Sequence, residues 1–78
     1  MVKTIYRDEY ADLLLLIRKK RLAVGLTQTE ISLKLGAPAS FLGKVERGER
    51  RIDVIELQAL CVILGTTLQD LLDELPRR

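Results

Sequence analysis

Ser40, Lys44 and Arg47 sit within the stretch PASFLGKVERG, residues 38–48. At helical spacing they share one face with Gly43, and Ala39 leads that face. The chemistry on offer is donation to anions and to base edges. A lysine ammonium can donate to guanine O6 or N7, a serine hydroxyl can bond a base edge or a phosphate, and an alanine methyl can touch a thymine methyl. Gly43 brings no side chain, which allows close approach. Arg47, with Arg50 and Arg51 just beyond it, suits phosphate oxygens. Phe41, Leu42 and Val45 fall on the opposite face and are expected in a core.

Other chemistries find little support. The chain has no histidine and one cysteine, Cys61, in an apolar stretch that suggests a buried structural thiol. Zinc-ligand patterns and Ser-His or Cys-His nucleophile systems are therefore absent. An enzyme is not expected, and neither a cofactor nor a metal is implied. Net charge is only +2, but it is unevenly spread. Residues 18–51 carry nine basic side chains against three acidic ones, a net of +6. Residues 52–78 carry two against five, a net of −3. A positive middle points to a polyanion such as nucleic acid. The alternative is that these charges only solubilise helix faces.

These residues need elements to hold them. Seventy-eight residues, 47% of them hydrophobic, suffice for one small domain spanning 1–78. Gly25, Gly36, Gly48 and Gly65 each follow an apolar-periodic segment, where a left-handed helix C-cap belongs. Start signals follow most of them. Thr27 with Glu30 forms a capping box, with Leu26 and Ile31 at staple positions. Asp53 with Glu56 repeats the box, and Thr67 with Asp70 is a weaker version. The fold class expected is all-α, with five helices at about 8–24, 28–35, 38–47, 54–64 and 68–75. Residues 1–6 are expected as a loose, flexible arm. Periodicity places Tyr10, Leu13, Leu14, Ile17, Val24, Ile31, Leu35, Val54, Leu57, Leu60, Cys61, Leu64, Leu68, Leu71 and Leu72 in the interior with the three core residues of the third helix. Small Ser32 allows a neighbouring helix close.

Two short helices joined by a turn containing Gly36, from Thr27 to about Arg47, match a helix-turn-helix. GLTQTEISLKLG followed by PASFLGKVERGERR resembles the lambda-repressor/Cro-like (Xre-type) helix-turn-helix family. The matching positions are Arg21, Gly25, Leu26, Thr27, Gln28, Ile31, Ser32, Gly36, Leu42, Val45, Glu46 and Gly48. LCVILGTTLQDLL is similar to the family's C-terminal half, so the resemblance covers about residues 13–75. Three positions depart from the pattern. Pro38 stands where Ser or Thr commonly caps the third helix, Ser32 stands where Ala is commoner, and Gly43 replaces a position often polar and DNA-facing.

The resemblance implies a five-helix lambda-repressor-like domain and a sequence-specific double-stranded DNA-binding transcriptional regulator. It implies Ala39, Ser40, Gly43 and Lys44 at base edges, since such a recognition helix enters the major groove N-terminus first. Gln28 resembles the family's phosphate-clamping glutamine, with Arg47, Arg50 and Arg51, and more weakly Thr29, as further phosphate contacts. Arg50 and Arg51 have a duller alternative, a loop salt-bridged to Glu49. By resemblance Arg21 and Glu46 form a partly buried ion pair that positions helix three on helix one. Ile55, Ala59 and Val62 lie on a side of helix four distinct from Leu57, Leu60 and Leu64. They suggest a homodimer surface, on a two-fold operator with half-sites about 34 Å apart. A wide core stripe would explain the same strip. No span is long and apolar enough for a membrane and no signal peptide is apparent, so a cytoplasmic protein is expected. No small-molecule ligand is evident, and no residue announces repressor over activator. A protein-interaction module, antitoxin or adaptor, is the alternative function. A single-stranded nucleic-acid binder would want more stacking aromatics than Tyr6, Tyr10 and Phe41.

Overall fold

The computed structural model of the protein describes the backbone of residues 2–77 and the side chains of residues 8–77. Five helices follow one another: α1 Val2–Val24, α2 Gln28–Lys34, α3 Phe41–Glu46, α4 Val54–Ile63 and α5 Leu68–Asp73. No strand occurs among the described residues. The 23 residues of α1 should span about 34 Å at the usual rise, close to the 37 Å long axis of the molecule. The arm expected at residues 1–6 is corrected in part. Residue 1 lies outside the described residues, while 2–6 continue the helix.

Each helix places at least one fully buried aliphatic side chain in a common core: Ile17, Ile31, Leu42 with Val45, Leu60 and Leu71. Burying such a side chain contributes about 1.5–3 kcal/mol. Leu13, Phe41, Leu57, Cys61 and Leu64 complete the cluster. Three residues expected inside are not: Val24, Val54 and Leu72 are exposed. Val24 and Val54 sit at helix ends, where the chain enters or leaves the bundle and no neighbouring helix covers them. Leu72 falls in the last turn of short α5, one position past buried Leu71.

The helix starts follow local chemistry. Thr27 Oγ1 accepts from the Glu30 amide at 3.0 Å, and Glu30 Oε1 accepts from the Thr27 amide at 2.9 Å. Asp53 and Glu56 do the same for α4 at 2.8 and 3.0 Å. Thr67 caps α5 through the Asp70 amide. α3 is different. Its N-cap residue Ser40 makes no side-chain capping bond. The third helix, expected from residue 38, begins at Phe41 instead. The Phe41 amide donates to the Pro38 carbonyl at 2.9 Å, a bond that winds residues 38–41 into a tighter turn ahead of the helix.

The α2–α3 turn hinges on Gly36, whose φ of 72° lies in the left-handed region that favours glycine. The amides of Gly36 and Ala37 return to Leu33 and Ser32 carbonyls, closing the end of α2.

Candidate nucleic-acid interface

One network fixes how α3 sits on the rest of the molecule. Arg21 Nε donates to Glu46 Oε2 at 2.8 Å and Arg21 Nη2 donates to Glu46 Oε1 at 3.2 Å. Arg21 Nη1 donates to the Leu26 carbonyl. Gln28 Nε2 donates to Glu46 Oε1 at 2.9 Å. The two charged side chains are only 10% and 5% exposed. A bidentate guanidinium–carboxylate pair holds one relative orientation of its partners. Here it binds α1, the α1–α2 turn, α2 and α3 into one piece.

Ser32 adds a second anchor beyond the close approach expected of a small residue. Its buried hydroxyl donates to the Gln28 carbonyl at 2.8 Å and accepts from the Leu42 amide at 3.0 Å. It thus satisfies an amide in the first turn of α3 from a neighbouring helix, doing from outside what Ser40 does not do. The signal was present: a hydroxyl stands where the family pattern commonly has Ala. Size alone accounts for the close approach of the helices, but not for this hydrogen bonding.

With α3 seated this way, Phe41, Leu42 and Val45 are buried and Ala39, Ser40, Lys44 and Arg47 are exposed. Gly43 departs from the expected arrangement. It is buried, not on the open face. A Cβ there would come to 3.0 Å from Gln28 Oε1 and 3.1 Å from Arg47 Nη1. The missing side chain makes room for those two side-chain ends to lie across α3.

The three arginines after Val45 have distinct surroundings. Arg47 Nε donates to Glu49 Oε2 at 2.8 Å. The contact pushes the guanidinium above its ordinary pKa and holds the Glu49 carboxyl below its own. Arg50 is a strut: both terminal nitrogens donate to Glu56 at 2.9 Å, one also donates to the Arg51 carbonyl, and the group lies 4.7 Å over the Phe41 ring. Arg51 stacks 4.4 Å over the Tyr10 ring. The Tyr10 hydroxyl accepts from the Ile52 amide, fixing the α3–α4 loop on α1. The expected alternative, Arg50 and Arg51 bridged to Glu49, is not the arrangement seen: Glu49 takes Arg47 and Arg50 takes Glu56. Thr29 is exposed beside Gln28 at the start of α2.

A groove of about 500 Å³ runs between this face and α4, bordered by Pro38, Ser40, Phe41 and Lys44 on one side and Ile55 and Ala59 on the other. Ile55 and Val62 are 70% and 75% exposed, so the apolar strip on α4 stands apart from the core that Leu57, Leu60 and Leu64 enter. No helix among the described residues is long and apolar enough to cross a membrane.

A helix-turn-helix family model matches residues 17–71. Among solved structures the chain is similar to an XRE-family like protein from Pseudomonas syringae pv. tomato str. DC3000. The two share 44% identity over 94% of this chain and 89% of that one, with a TM-score of 0.89. No curated protein matches the chain. A short α2 and α3 about a left-handed glycine, seated by Arg21 and Glu46 and matched over most of the chain, make this protein a member of the XRE-type helix-turn-helix family, with the fold of a DNA-binding regulator.

Proposed function

We propose that the protein is a sequence-specific double-stranded DNA-binding transcriptional regulator that acts as a homodimer on an inverted-repeat operator. The observation that carries the reading is the division of α3 and its approach. Its apolar side chains are buried, while Ala39 and Ser40 just ahead of the helix and Lys44 in its last turn are exposed. In a major groove about 12 Å wide, the N-terminal end meets the base edges. Lys44 donates to guanine, Ser40 bonds a base edge or phosphate, and Ala39 contacts a thymine methyl. Gly43 serves the interface indirectly, by seating Gln28 and Arg47. Gln28, Thr29, Arg47 and Arg51 contact phosphates. Arg50 contributes mainly by bracing the loop that carries Arg51. A net of +6 over residues 18–51 supports attraction to the duplex.

The exposed Ile55, Ala59 and Val62 supply an apolar surface for the second copy. The same strip favours the second reading, a protein-interaction module such as an antitoxin or adaptor. Selection from random duplex DNA separates the two. An inverted repeat enriched by the parent and lost by Ser40→Ala/Lys44→Ala supports the operator reader. No enrichment by the folded parent sinks it and turns attention to the strip on α4.

A further inference from the structure

The end of α3 holds an acidic side chain in a place where an anion-binding arginine has to work. Gly48, at a φ of 77°, turns the chain back. The Gly48 amide donates to the Val45 carbonyl at 3.0 Å and the Glu49 amide donates to the Lys44 carbonyl at 2.9 Å. These paired bonds are the six-residue closure of a helix end. They fix the Glu49 backbone two positions past Arg47 by main-chain geometry, independent of either side chain. From there the Glu49 carboxylate reaches Arg47 Nε at 2.8 Å, with both side chains more than half exposed. The other end of the guanidinium lies over Gly43, beside Gln28 Oε1. Lys44 also acts on Glu49 through its charge.

A carboxylate and a phosphate offer the planar donor fork of a guanidinium the same thing, anionic oxygens that accept. We propose that Glu49 is a built-in competitor for DNA at Arg47: its carboxylate takes the Nε donor that a backbone phosphate would use, and duplex binding exchanges one anion for the other. The inference rests on the reading of Arg47 as a phosphate contact. Phosphate contacts carry no sequence information. Glu49 therefore lowers affinity for every duplex by a similar factor and leaves discrimination to Ser40 and Lys44. Exposed pairs of this kind are weak, which keeps the exchange reversible.

The test uses the full chain and a fluorescein-labelled, random-sequence duplex of about 20 base pairs, enough for two half-sites. Affinity is read by anisotropy at an ionic strength of about 0.1 M. Four proteins are compared: parent, Glu49→Gln, Arg47→Gln and the double variant, each checked for fold by circular dichroism. Glu49→Gln is expected to bind about three- to fivefold tighter. In the Arg47→Gln background the same substitution is expected to gain less than about twofold, because there is no guanidinium left to release. A gain of equal size in both backgrounds would overturn the competitor and leave a general charge effect. No gain in either would overturn it outright. A folded parent that binds no duplex even at about 0.05 M salt would remove the DNA-binding reading itself, and the competitor with it. That result is distinct from a parent that binds while Glu49→Gln changes nothing.

Discussion

The two helices of the helix-turn-helix are held by opposite means. α2 is specified by its neighbours in sequence: Thr27 and Glu30 close its first turn reciprocally, and Gly36 ends it. α3 has no capping bond from its own N-cap residue. It takes a hydroxyl from Ser32 on α2 and a carboxylate-anchored grip from Arg21 on α1. An element secured locally can form its ends without the rest of the fold. An element secured from outside has its orientation set by the fold, and a helix that must present particular side chains to a partner gains from that.

The contrast can be broken most severely at Glu46. Glu46→Ala removes the carboxylate and leaves Arg21 buried without its partner. Losing one member of a buried pair is expected to cost about 3–5 kcal/mol. A fall of that size in chemical denaturation is the check, and a change below about 1 kcal/mol would show that α3 is held chiefly by its apolar face.

Next in size is the pair of hydroxyls that serve the two helix starts. Ser32→Ala strands the buried Leu42 amide, with an expected loss of about 1–3 kcal/mol. Thr27→Ala removes an exposed cap and is expected to lose about 1 kcal/mol. If the exposed cap proves the costlier of the two, the distinction between outside and local support fails.

Gly43→Ala sharpens the comparison by separating stability from binding. Alanine favours a helix over glycine by about 1 kcal/mol. Against this, the new methyl meets the ends of two flexible side chains, Gln28 and Arg47, which can withdraw. Stability is expected to change by less than about 1 kcal/mol, while duplex affinity falls severalfold. Melting and anisotropy on one sample decide it.

The smallest effect is pH-dependent. Hydrogen bonding to Thr27, through its amide first and then its side chain, holds the Glu30 carboxyl below its ordinary pKa. Glu56 is held down first by Arg50 and then by the Asp53 amide. Carboxyls depressed in the folded state contribute stability that is present above the ordinary value of 4.5 and lost as pH falls through the lower folded one. The melting temperature is therefore expected to drop below about pH 4.5, and Glu30→Gln, which keeps the box but does not titrate, to blunt the drop slightly. An unaltered acid profile in that variant would mean the box at α2 carries no linkage.

These differences also mark what could be read from residues alone. α2, α4 and α5 announce their starts by capping signals a few residues long, and the sequence places all three starts where they occur. The Arg21–Glu46 contact spans 25 positions and came only through resemblance, since nothing local ties the two. The start of α3 lies later than Pro38 suggests: a proline suits a first helical turn, yet here its carbonyl closes a tighter one. Angular position alone puts Gly43 on the open face, but it is buried. Which side a small residue faces depends on what lies across it, and Gln28 comes from another helix. Val24 and Val54 show the same limit: a periodic stripe does not tell where the neighbouring helix stops.

Cys61 is almost wholly enclosed in α4, and burial pushes its thiol pKa up. A thiol that must first be uncovered reacts with an alkylating reagent only when the bundle opens. Its labelling rate in native buffer is thus a clock for that opening, running on the protein's own atoms and without any substitution. Any molecule that binds the folded form alone will slow the clock by mass action, so one sulfur atom can report on partners that never come near it.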